Sequence, residues 1–430
     1  MKINRLYLSD FRGIEELVLD LQGKSAILFG INGVGKSTVL SAINLLYAPI
    51  LNKLTRQKVK QAGNIELSDI KSGKASADIS AEYLFGEEDV FTFERGITFE
   101  NKRIVNNTQL ESLVEHYENL YVGKQWVDED NNLLSDTPDF NIPIFVNYGV
   151  NRLVLKTPLR FRKKPSYGQF GAFEKAIENQ IAFDKLFEWF FDQEFYESKM
   201  QKENPDYQDK ELRAVKKAML AMLDDCEDIH IVARPYSMRI TKAGETLDIL
   251  QLSDGEKCTL ALFGDIARRL AQANPSLEDP LNGKGVVLID ELELHMHTSW
   301  QRKVIPVLKE TFPNIQFIIT THSPQILGEV GDGFSVFSLF RDGEGIKVRV
   351  LSSLFGLDSN SILEDSMQTD SVSRLIKSEV DKMYRFIEKR EYDHAERTAD
   401  RIDELTYSRN PDTVRARIMI RRGKMRNAQN

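Results

Sequence analysis

The stretch GINGVGKS at residues 30–37 has the spacing G-x4-G-K-[ST] of a phosphate-binding loop, and it lies between an apolar run and the helical run TVLSAINLL. Glycines let backbone N–H groups close around phosphate oxygens, and the following helix presents its positive end to them. In such a loop the Lys36 ammonium would reach the β- and γ-phosphates, and the Ser37 hydroxyl would bind Mg²⁺. A chance Gly-rich turn is the alternative, which the strand–loop–helix setting argues against. The sequence therefore predicts a nucleoside triphosphate site formed by Gly30, Asn32, Gly33, Val34, Gly35, Lys36, Ser37 and Thr38.

Two carboxylates end the apolar run VVLIDE at 286–291. Asp290 would stand at the end of a buried strand, where it can hold Mg²⁺, and Glu291 would polarise water as a general base. Alone, such a run is weak, because most are strands that enter a turn. Together with the phosphate-binding loop it predicts hydrolysis.

The stretch QLSDGEKCTL at 251–260 places Ser253 and Gly255 at the start of an apolar helical run. A helix N-terminus with a hydroxyl, and a Gly for close approach, makes a second anion site. Because the first loop already surrounds a triphosphate, the second is best explained by a nucleotide held by another copy of the chain. The alternative is a helix cap, since Ser253 and Glu256 form a capping-box pattern. The position between the phosphate-binding loop and VVLIDE favours the catalytic role.

His322 follows the strand-like run in FIITTHS at 317–323. Beside the sheet that carries Asp290, it can contact a γ-phosphate or the attacking water, although a lone histidine at a strand end is usually structural. The pattern HMH at 295–297 suggests metal binding. Because no Cys or Asp cluster supports a zinc site, we expect no metal other than Mg²⁺.

These side chains need a scaffold that brings strand ends together. Near-continuous apolar strands alternate with helices, which predicts an α/β fold with a mostly parallel sheet covered on both faces. The alternating stretches ADISAEYLFG and DVFTFERGITFENKRIV predict an antiparallel flap. We expect a first lobe at 1–157, a helical insertion at 158–228, a second lobe at 229–355 and a C-terminal helical region at 356–430.

The insertion carries apolar side chains at helical spacing, which favours a packed helix over a base-stacking platform. Trp189 lies off this stripe and is a candidate for a partner contact. The stripe consists of Phe183, Leu186, Phe187, Phe190, Phe191 and Phe195, and a second helix repeats the pattern with Leu212, Val215, Met219 and Met222.

Bulk composition excludes several classes of protein. The net charge of −8 means that nucleic acid would have to bind through a local basic patch. Cys226 and Cys258 form no disulfide framework, which fits a reducing compartment. No apolar run approaches 18 residues and the first residues lack the apolar core of a signal peptide, so we expect a cytosolic protein with no membrane association.

The motifs GINGVGKS, LSDGE, VVLIDE and TTHS, in that order, resemble an ABC-type ATPase head of the RecF/SMC and overcoming-lysogenization-defect branch. The opening LYLSDFRGIEEL is similar to that branch's first strand and turn, which implies that Arg12 lies near the nucleotide. LSDGE corresponds to the signature motif and His322 to the switch histidine. PIFVNYGVNR occupies the position of that family's Q-loop but contains no Gln. Tyr148 and Arg152 are the residues at this position instead.

Two features narrow the resemblance to one group within this branch. We find no pattern of a TOPRIM nuclease after His322, and GLDSNSILEDSM at 356–367, followed by charged helices, resembles PtuA, the ATPase subunit of Septu antiphage systems and of some retrons. This resemblance implies ATP and Mg²⁺ as cofactors, homodimers or higher homo-oligomers that sandwich ATP, and a separate HNH nuclease partner of the PtuB kind. Nucleic acid would be reached through that complex.

Two other classes stay open. A RecF- or SMC-like DNA-repair ATPase would bind DNA directly, for which residues 411–430 offer basic side chains, although charge runs are usually solvated helical faces. A transporter's energising subunit is disfavoured by the FRGI opening, by the helical insertion and by the long gap between Ser37 and Ser253.

Overall fold

The computed structural model describes residues 1–55, 63–85, 89–100, 103–109, 141–152, 168–233, 235–343, 345–367, 373–407 and 410–429. The chain divides into two compact units, Met1–Asp358 and Ser359–Asn430. The finer division of the first unit into two lobes and an insertion stays a prediction, and its boundary at residue 158 lies outside the described residues.

The secondary structure consists of the following elements. The strands are β1 Lys2–Phe11, β2 Ile14–Asp20, β3 Ser25–Phe29, β4 Ser76–Phe85, β5 Asp89–Glu100, β6 Arg103–Gln109, β7 Ile144–Tyr148, β8 Cys226–Ala233, β9 Tyr236–Lys242, β10 Glu245–Asp248, β11 Gly285–Ile289, β12 Ile315–Thr321, β13 Phe334–Asp342 and β14 Gly345–Leu351. The principal helices are α1 Lys36–Thr55, α2 Phe183–Met200, α3 Lys210–Leu220, α4 Asp254–Ala273, α5 Thr298–Thr311, α6 Pro324–Leu327, α7 Arg374–Glu388, α8 Tyr392–Thr406 and α9 Pro411–Gln429.

The central sheet has six strands in the order β14-β13-β3-β12-β11-β7. Its neighbouring strands run parallel except at the edge, where β14 is antiparallel to β13. Every residue of β3, β7, β11 and β12 is buried, as expected of parallel strands covered on both faces. The predicted α/β fold with a mostly parallel sheet is confirmed.

A second sheet is antiparallel, with the order β2-β1-β4-β5-β6, which confirms the predicted flap and adds the first two strands to it. Helix α1 contacts both sheets through Tyr47. The Tyr47 ring stacks on Phe145 of β7 with centroids 3.6 Å apart, and it meets Tyr83 of β4 edge-on at 5.4 Å. The helix that begins at the phosphate-binding loop is therefore fixed from two sides.

Helices α2 and α3 pack near α4, and most of the predicted apolar stripe is confirmed as core. The buried members are Phe183, Leu186, Phe187, Phe190, Leu212, Val215, Met219 and Met222. The prediction was wrong for Phe195, which is 68% exposed at the far end of α2. It was also wrong for Trp189, which is 1% exposed and so belongs to the core, where no partner could contact it. Helix α2 buries a wider face than a single stripe.

The second unit is a small helical bundle whose core is formed by Met383, Ile387, Ala395, Ala399, Ile402, Ala416 and Ile420. Two basic residues of α9 pair with acids of α8. Arg417 contacts Asp400 and Asp403, whereas Lys424 contacts Asp393 and Glu396. None of the helices among the described residues is long and apolar enough to cross a membrane.

Candidate functional site

The phosphate-binding loop (residues 30–37) connects β3 to α1, and its backbone requires glycine at three positions. Gly30, Gly33 and Gly35 have φ angles of +149°, +82° and +90°. A Cβ on Gly30 would lie 2.1 Å from the backbone oxygen of Leu339 in β13. The loop therefore lies tightly against the sheet, with α1 beginning at Lys36, as the motif predicts.

The Lys36 ammonium lies over this loop. Its Nζ donates to the carbonyl oxygens of Gly30 and Ile31, at 2.9 and 3.1 Å. Burial lowers the pKa of Lys36, while the nearby carboxylates of Glu291, Asp290 and Glu293 oppose that effect. The cation thus lies among the acidic residues of the second motif.

Ser37 and Asp290 are brought together although 253 positions separate them, because β3 and β11 flank β12 in the sheet. The Ser37 hydroxyl donates to Asp290 Oδ1 at 3.1 Å. A hydroxyl and a carboxylate at the end of a triphosphate loop fit Mg²⁺, which takes oxygen ligands and completes its shell with phosphate and water. These two residues would hold that ion.

Thr320 is a functional residue that the sequence analysis missed. Its hydroxyl donates to Asp290 Oδ1 at 2.5 Å and accepts the backbone N–H of Glu291 at 2.8 Å. Thr320 is fully buried in β12. Its position two residues before His322 was the only available signal, and a Thr in a strand is too ordinary to stand out.

Glu291 has a φ of +48°, in the left-handed region that non-glycine residues rarely occupy. Its N–H donates to Thr320 and its carbonyl oxygen accepts from Arg152 Nη2 at 2.6 Å. Such backbone strain persists only where the surroundings enforce it, and it is concentrated at functional sites.

His322 follows β12, and its backbone is held by Glu293, a second residue that the sequence analysis passed over. Glu293 accepts the His322 N–H at 2.5 Å and the Thr321 hydroxyl at 2.8 Å. Burial, followed by the charge of Lys36, lowers the pKa of His322. This direction favours the neutral ring, which offers one donor and one acceptor.

The signature turn (Ser253–Gly255) contains the capping box that was the alternative interpretation. The Ser253 hydroxyl and N–H both donate to Glu256, at 2.7 and 2.9 Å, and the Glu256 N–H donates back to Ser253 at 3.3 Å. A Cβ on Gly255 would lie 2.5 Å from the carbonyl oxygen of His295. The turn therefore packs directly against the loop that follows Asp290 and Glu291.

The signature turn opens onto a cleft of about 730 Å³, lined among others by Lys242, Ser253, Gly255, His297 and Trp300. None of the lining residues belongs to the phosphate-binding loop. The signature turn and the phosphate-binding loop of one chain thus do not share this cleft.

The HMH pattern has a structural explanation at one of its histidines. His297 caps α5, with its Nδ1 accepting the Ser299 N–H at 3.3 Å. No group of three His, Cys, Asp or Glu side chains suited to a metal ion occurs in the part of the chain that the structure describes.

Arg12 lies on the turn between β1 and β2, close to the phosphate-binding loop, since Ile14, the first residue of β2, packs against Gly35. Its φ is +52° and its Nε donates to Asp69 at 2.8 Å. A nucleotide contact by Arg12 stays a prediction.

The two residues in the place of the Q-loop have different surroundings. The Tyr148 hydroxyl donates to the buried Asp265 of α4 at 2.8 Å, so its ring points away from the Ser37–Asp290 pair. Its carbonyl oxygen accepts the Asp290 N–H at 2.9 Å. Arg152 lies at the site, against Glu291.

Comparisons with known proteins found one matching family model and several similar chains. The family model described as "AAA domain, putative AbiEii toxin, Type IV TA system" matches residues 25–328. The chain is 27% identical to the "Retron Ec83 probable ATPase" of Escherichia coli, with 85% of this chain and 76% of that protein covered. It is 23% identical to the "Septu protein PtuA" of Bacillus thuringiensis, over 86% of this chain and 84% of that one. The SMC head domain from Thermotoga maritima is 13% identical with a TM-score of 0.46, covering 82% of this chain and all (100%) of the other.

Proposed function

The chain belongs to the family described as "AAA domain, putative AbiEii toxin, Type IV TA system", and from this premise we propose that it is an antiphage-defence ATPase that works as a head-to-head dimer. One observation carries the proposal. Lys36, Ser37 and Asp290 meet at the carboxyl ends of the parallel strands β3 and β11, with the Ser37 hydroxyl 3.1 Å from Asp290. Ligand sites of open parallel sheets lie at this carboxyl end of the strands.

The residues at this carboxyl end of the strands have different roles in the proposed chemistry. The loop N–H groups and Lys36 would bind the phosphates of ATP, and Ser37 and Asp290 would hold Mg²⁺, which would supply positive charge to the transferred phosphoryl group. Glu291 accepts a proton from the attacking water. The neutral His322 ring orients that water or a γ-phosphate oxygen through a hydrogen bond.

The signature turn completes the site of a second copy. The N-terminus of α4 is an anion-binding end, where the Ser253 hydroxyl would exchange its bond to Glu256 for one to a phosphate, and it faces a cleft that the phosphate-binding loop of the same chain does not line. In a symmetric dimer each ATP would therefore lie between the loop of one protomer and the signature turn of the other.

Mixing two inactive variants tests the shared site. Lys36→Ala disables the phosphate-binding loop and Ser253→Arg blocks the signature turn. If both parts belonged to one chain, the mixture would stay inactive. In a shared site, half of the dimers in an equal mixture hold one intact site, which predicts about a quarter of wild-type turnover. A mixture no more active than its components would refute the shared site.

The defence role rests on the similarity to a retron ATPase and to PtuA. We propose a cytoplasmic complex in which ATP binding regulates a separate HNH nuclease, and nucleic acid is reached through that complex. Purification of the tagged chain from its native host, followed by mass spectrometry, tests this. A nuclease of the HNH class in stoichiometric amount is expected, and its absence from a complex that retains ATPase activity would contradict the proposal.

Direct DNA binding is the second candidate function. Arg415, Arg421 and Arg422 are exposed on α9, whereas Arg417 and Lys424 are paired with acids. If α9 binds DNA, the logarithm of the affinity for duplex DNA should fall with the logarithm of the salt concentration. Changing the three exposed arginines to Gln should make the slope of this line shallower by about three. An unchanged slope would exclude α9 as the DNA-binding element.

A further inference from the structure

Arg152 is a buried cation at the proposed site. Its residue is 2% exposed, and Nη2 donates to the carbonyl oxygen of Glu291 at 2.6 Å. Nε and Nη1 are also buried, and neither has a hydrogen-bond partner among the described residues. Besides this bond the guanidinium contacts the Cys258 thiol, and it forms no ion pair with a described carboxylate.

Stability does not explain this arrangement. A buried charge without an opposite charge is costly, and replacing buried ionic groups by apolar side chains of similar volume is often neutral or stabilising. A positive charge placed there at a cost in stability indicates a role in function.

The bond partner of Arg152 gives that role. The Glu291 backbone is held in the left-handed region from both ends, by Thr320 at its N–H and, at its carbonyl oxygen, by Arg152 together with the Leu294 N–H at 3.0 Å. A single left-handed non-glycine residue costs on the order of 1–3 kcal/mol, so this conformation depends on such contacts. Because the Cα–Cβ direction is fixed by the backbone, these contacts set the direction in which the Glu291 carboxylate leaves the chain.

We propose that Arg152 is a positioning residue for ATP hydrolysis: it fixes the peptide of Glu291 and thereby aims the general base. The inference rests on the proposed role of Glu291 as that base. Arg152 itself touches neither nucleotide nor water in this role.

Arg152 also contacts α4, the helix that begins at the signature turn. The guanidinium lies beside the thiol of Cys258, three residues after Gly255. Burial raises the pKa of that thiol, and the Arg152 charge acts in the opposite direction. One side chain therefore touches both the catalytic Glu291 and the helix that begins at the signature turn.

Arg152→Met, with Arg152→Lys for comparison, tests the proposal in the full chain. For Arg152→Met we expect kcat for ATP to fall about 10- to 100-fold, since displacing a catalytic group by a fraction of an ångström has effects of this size. KM and the equilibrium affinity for ATP should change less than about threefold, because ATP is bound by other residues. Arg152→Lys should recover part of kcat, and the melting temperature of Arg152→Met should equal or exceed that of the wild type.

Arg95 provides a matched control. It is also buried, donates one bond to the backbone oxygen of Leu45 and has an Nε without a partner in the described residues. Arg95→Met should leave kcat unchanged. A kcat for Arg152→Met within twofold of wild type, or a loss of kcat that comes with a lower melting temperature, would overturn the proposal.

A double substitution separates this inference from the function on which it rests. If Arg152 acts through Glu291, Arg152→Met should add no further loss in a Glu291→Gln background, measured by single-turnover hydrolysis. Additive losses would refute the inference alone. Normal hydrolysis by Glu291→Gln by itself would refute the proposed base, and the inference with it.

Discussion

A Thr320→Val substitution would remove one hydroxyl that serves both acidic residues at the end of β11. Valine keeps the shape of the side chain, so the change isolates two hydrogen bonds, one donated to Asp290 at 2.5 Å and one accepted from the Glu291 N–H at 2.8 Å. Because Thr320 is fully buried in β12, water cannot readily replace either bond.

The two bonds set the expected magnitude. A hydrogen bond to a charged group contributes about 1.5–3 kcal/mol, and a buried N–H left without an acceptor costs about 1–3 kcal/mol. We therefore expect the free energy of unfolding to fall by roughly 3 kcal/mol, and kcat for ATP to fall about 100-fold because both Asp290 and Glu291 lose their orientation.

Urea denaturation and steady-state ATP hydrolysis measure the two effects. Thr320→Ser is the control, because it keeps the hydroxyl and removes only a methyl group, and it should retain kcat within a few-fold of wild type. If Thr320→Val hydrolyses ATP as fast as Thr320→Ser does, the hydroxyl does not organise the acidic pair, and our reasoning about β12 is refuted.

Three further substitutions give separate tests. Gly30→Ala should abolish ATP binding, measured by equilibrium titration, because the new Cβ would lie 2.1 Å from the backbone oxygen of Leu339; unchanged affinity would show that the loop can move away from β13. Gly255→Ala should lower hydrolysis more than ATP binding, because its Cβ would lie 2.5 Å from the His295 carbonyl oxygen and displace the signature turn; equal turnover in a hydrolysis assay would contradict this. Burial raises the pKa of Glu211 from 4.5 to about 7, so the folded state binds this proton more tightly than the unfolded state, and stability falls as pH rises between these values. Glu211→Gln should therefore raise the free energy of unfolding, measured by urea denaturation, by roughly 3 kcal/mol at pH 8 but not at pH 4, and an equal increase at both pH values would exclude titration of Glu211 as the cause.

Local motifs predicted the parts of the site that depend on short-range chemistry. Lys36 and Ser37 follow from the loop spacing, and Asp290 follows from an apolar run that ends in two acids. The sheet brings them together as parallel order requires. This part of the site could be predicted because each motif specifies its own strand, turn or helix.

Residues whose role comes from register between strands could not be predicted in this way. Thr320 serves Asp290 and Glu291 only because Ile289 pairs with Ile319, a register that one chain segment does not reveal. Glu293 contacts His322 across the same two strand ends.

Side-chain direction explains two of the differences between the sequence predictions and the structure. Trp189 lies off the apolar stripe, but α2 is covered on more than one face, so helical periodicity understates its burial. Tyr148 occupies the place of the Q-loop, yet its ring points to Asp265 in a buried network with Arg268 and Arg269.

The order of strands in the central sheet bears on how the chain is made in the cell. Strand β3, which carries the loop, pairs with β12 and β13 from the far end of the first unit, and Ser37 leaves the ribosome 253 residues ahead of Asp290. At about 5–20 residues per second this delay lasts roughly 13–50 s. A nascent or prematurely terminated chain that already displays its phosphate-binding loop therefore lacks the acidic partner that we propose for hydrolysis, and we expect such a truncated translation product not to consume ATP.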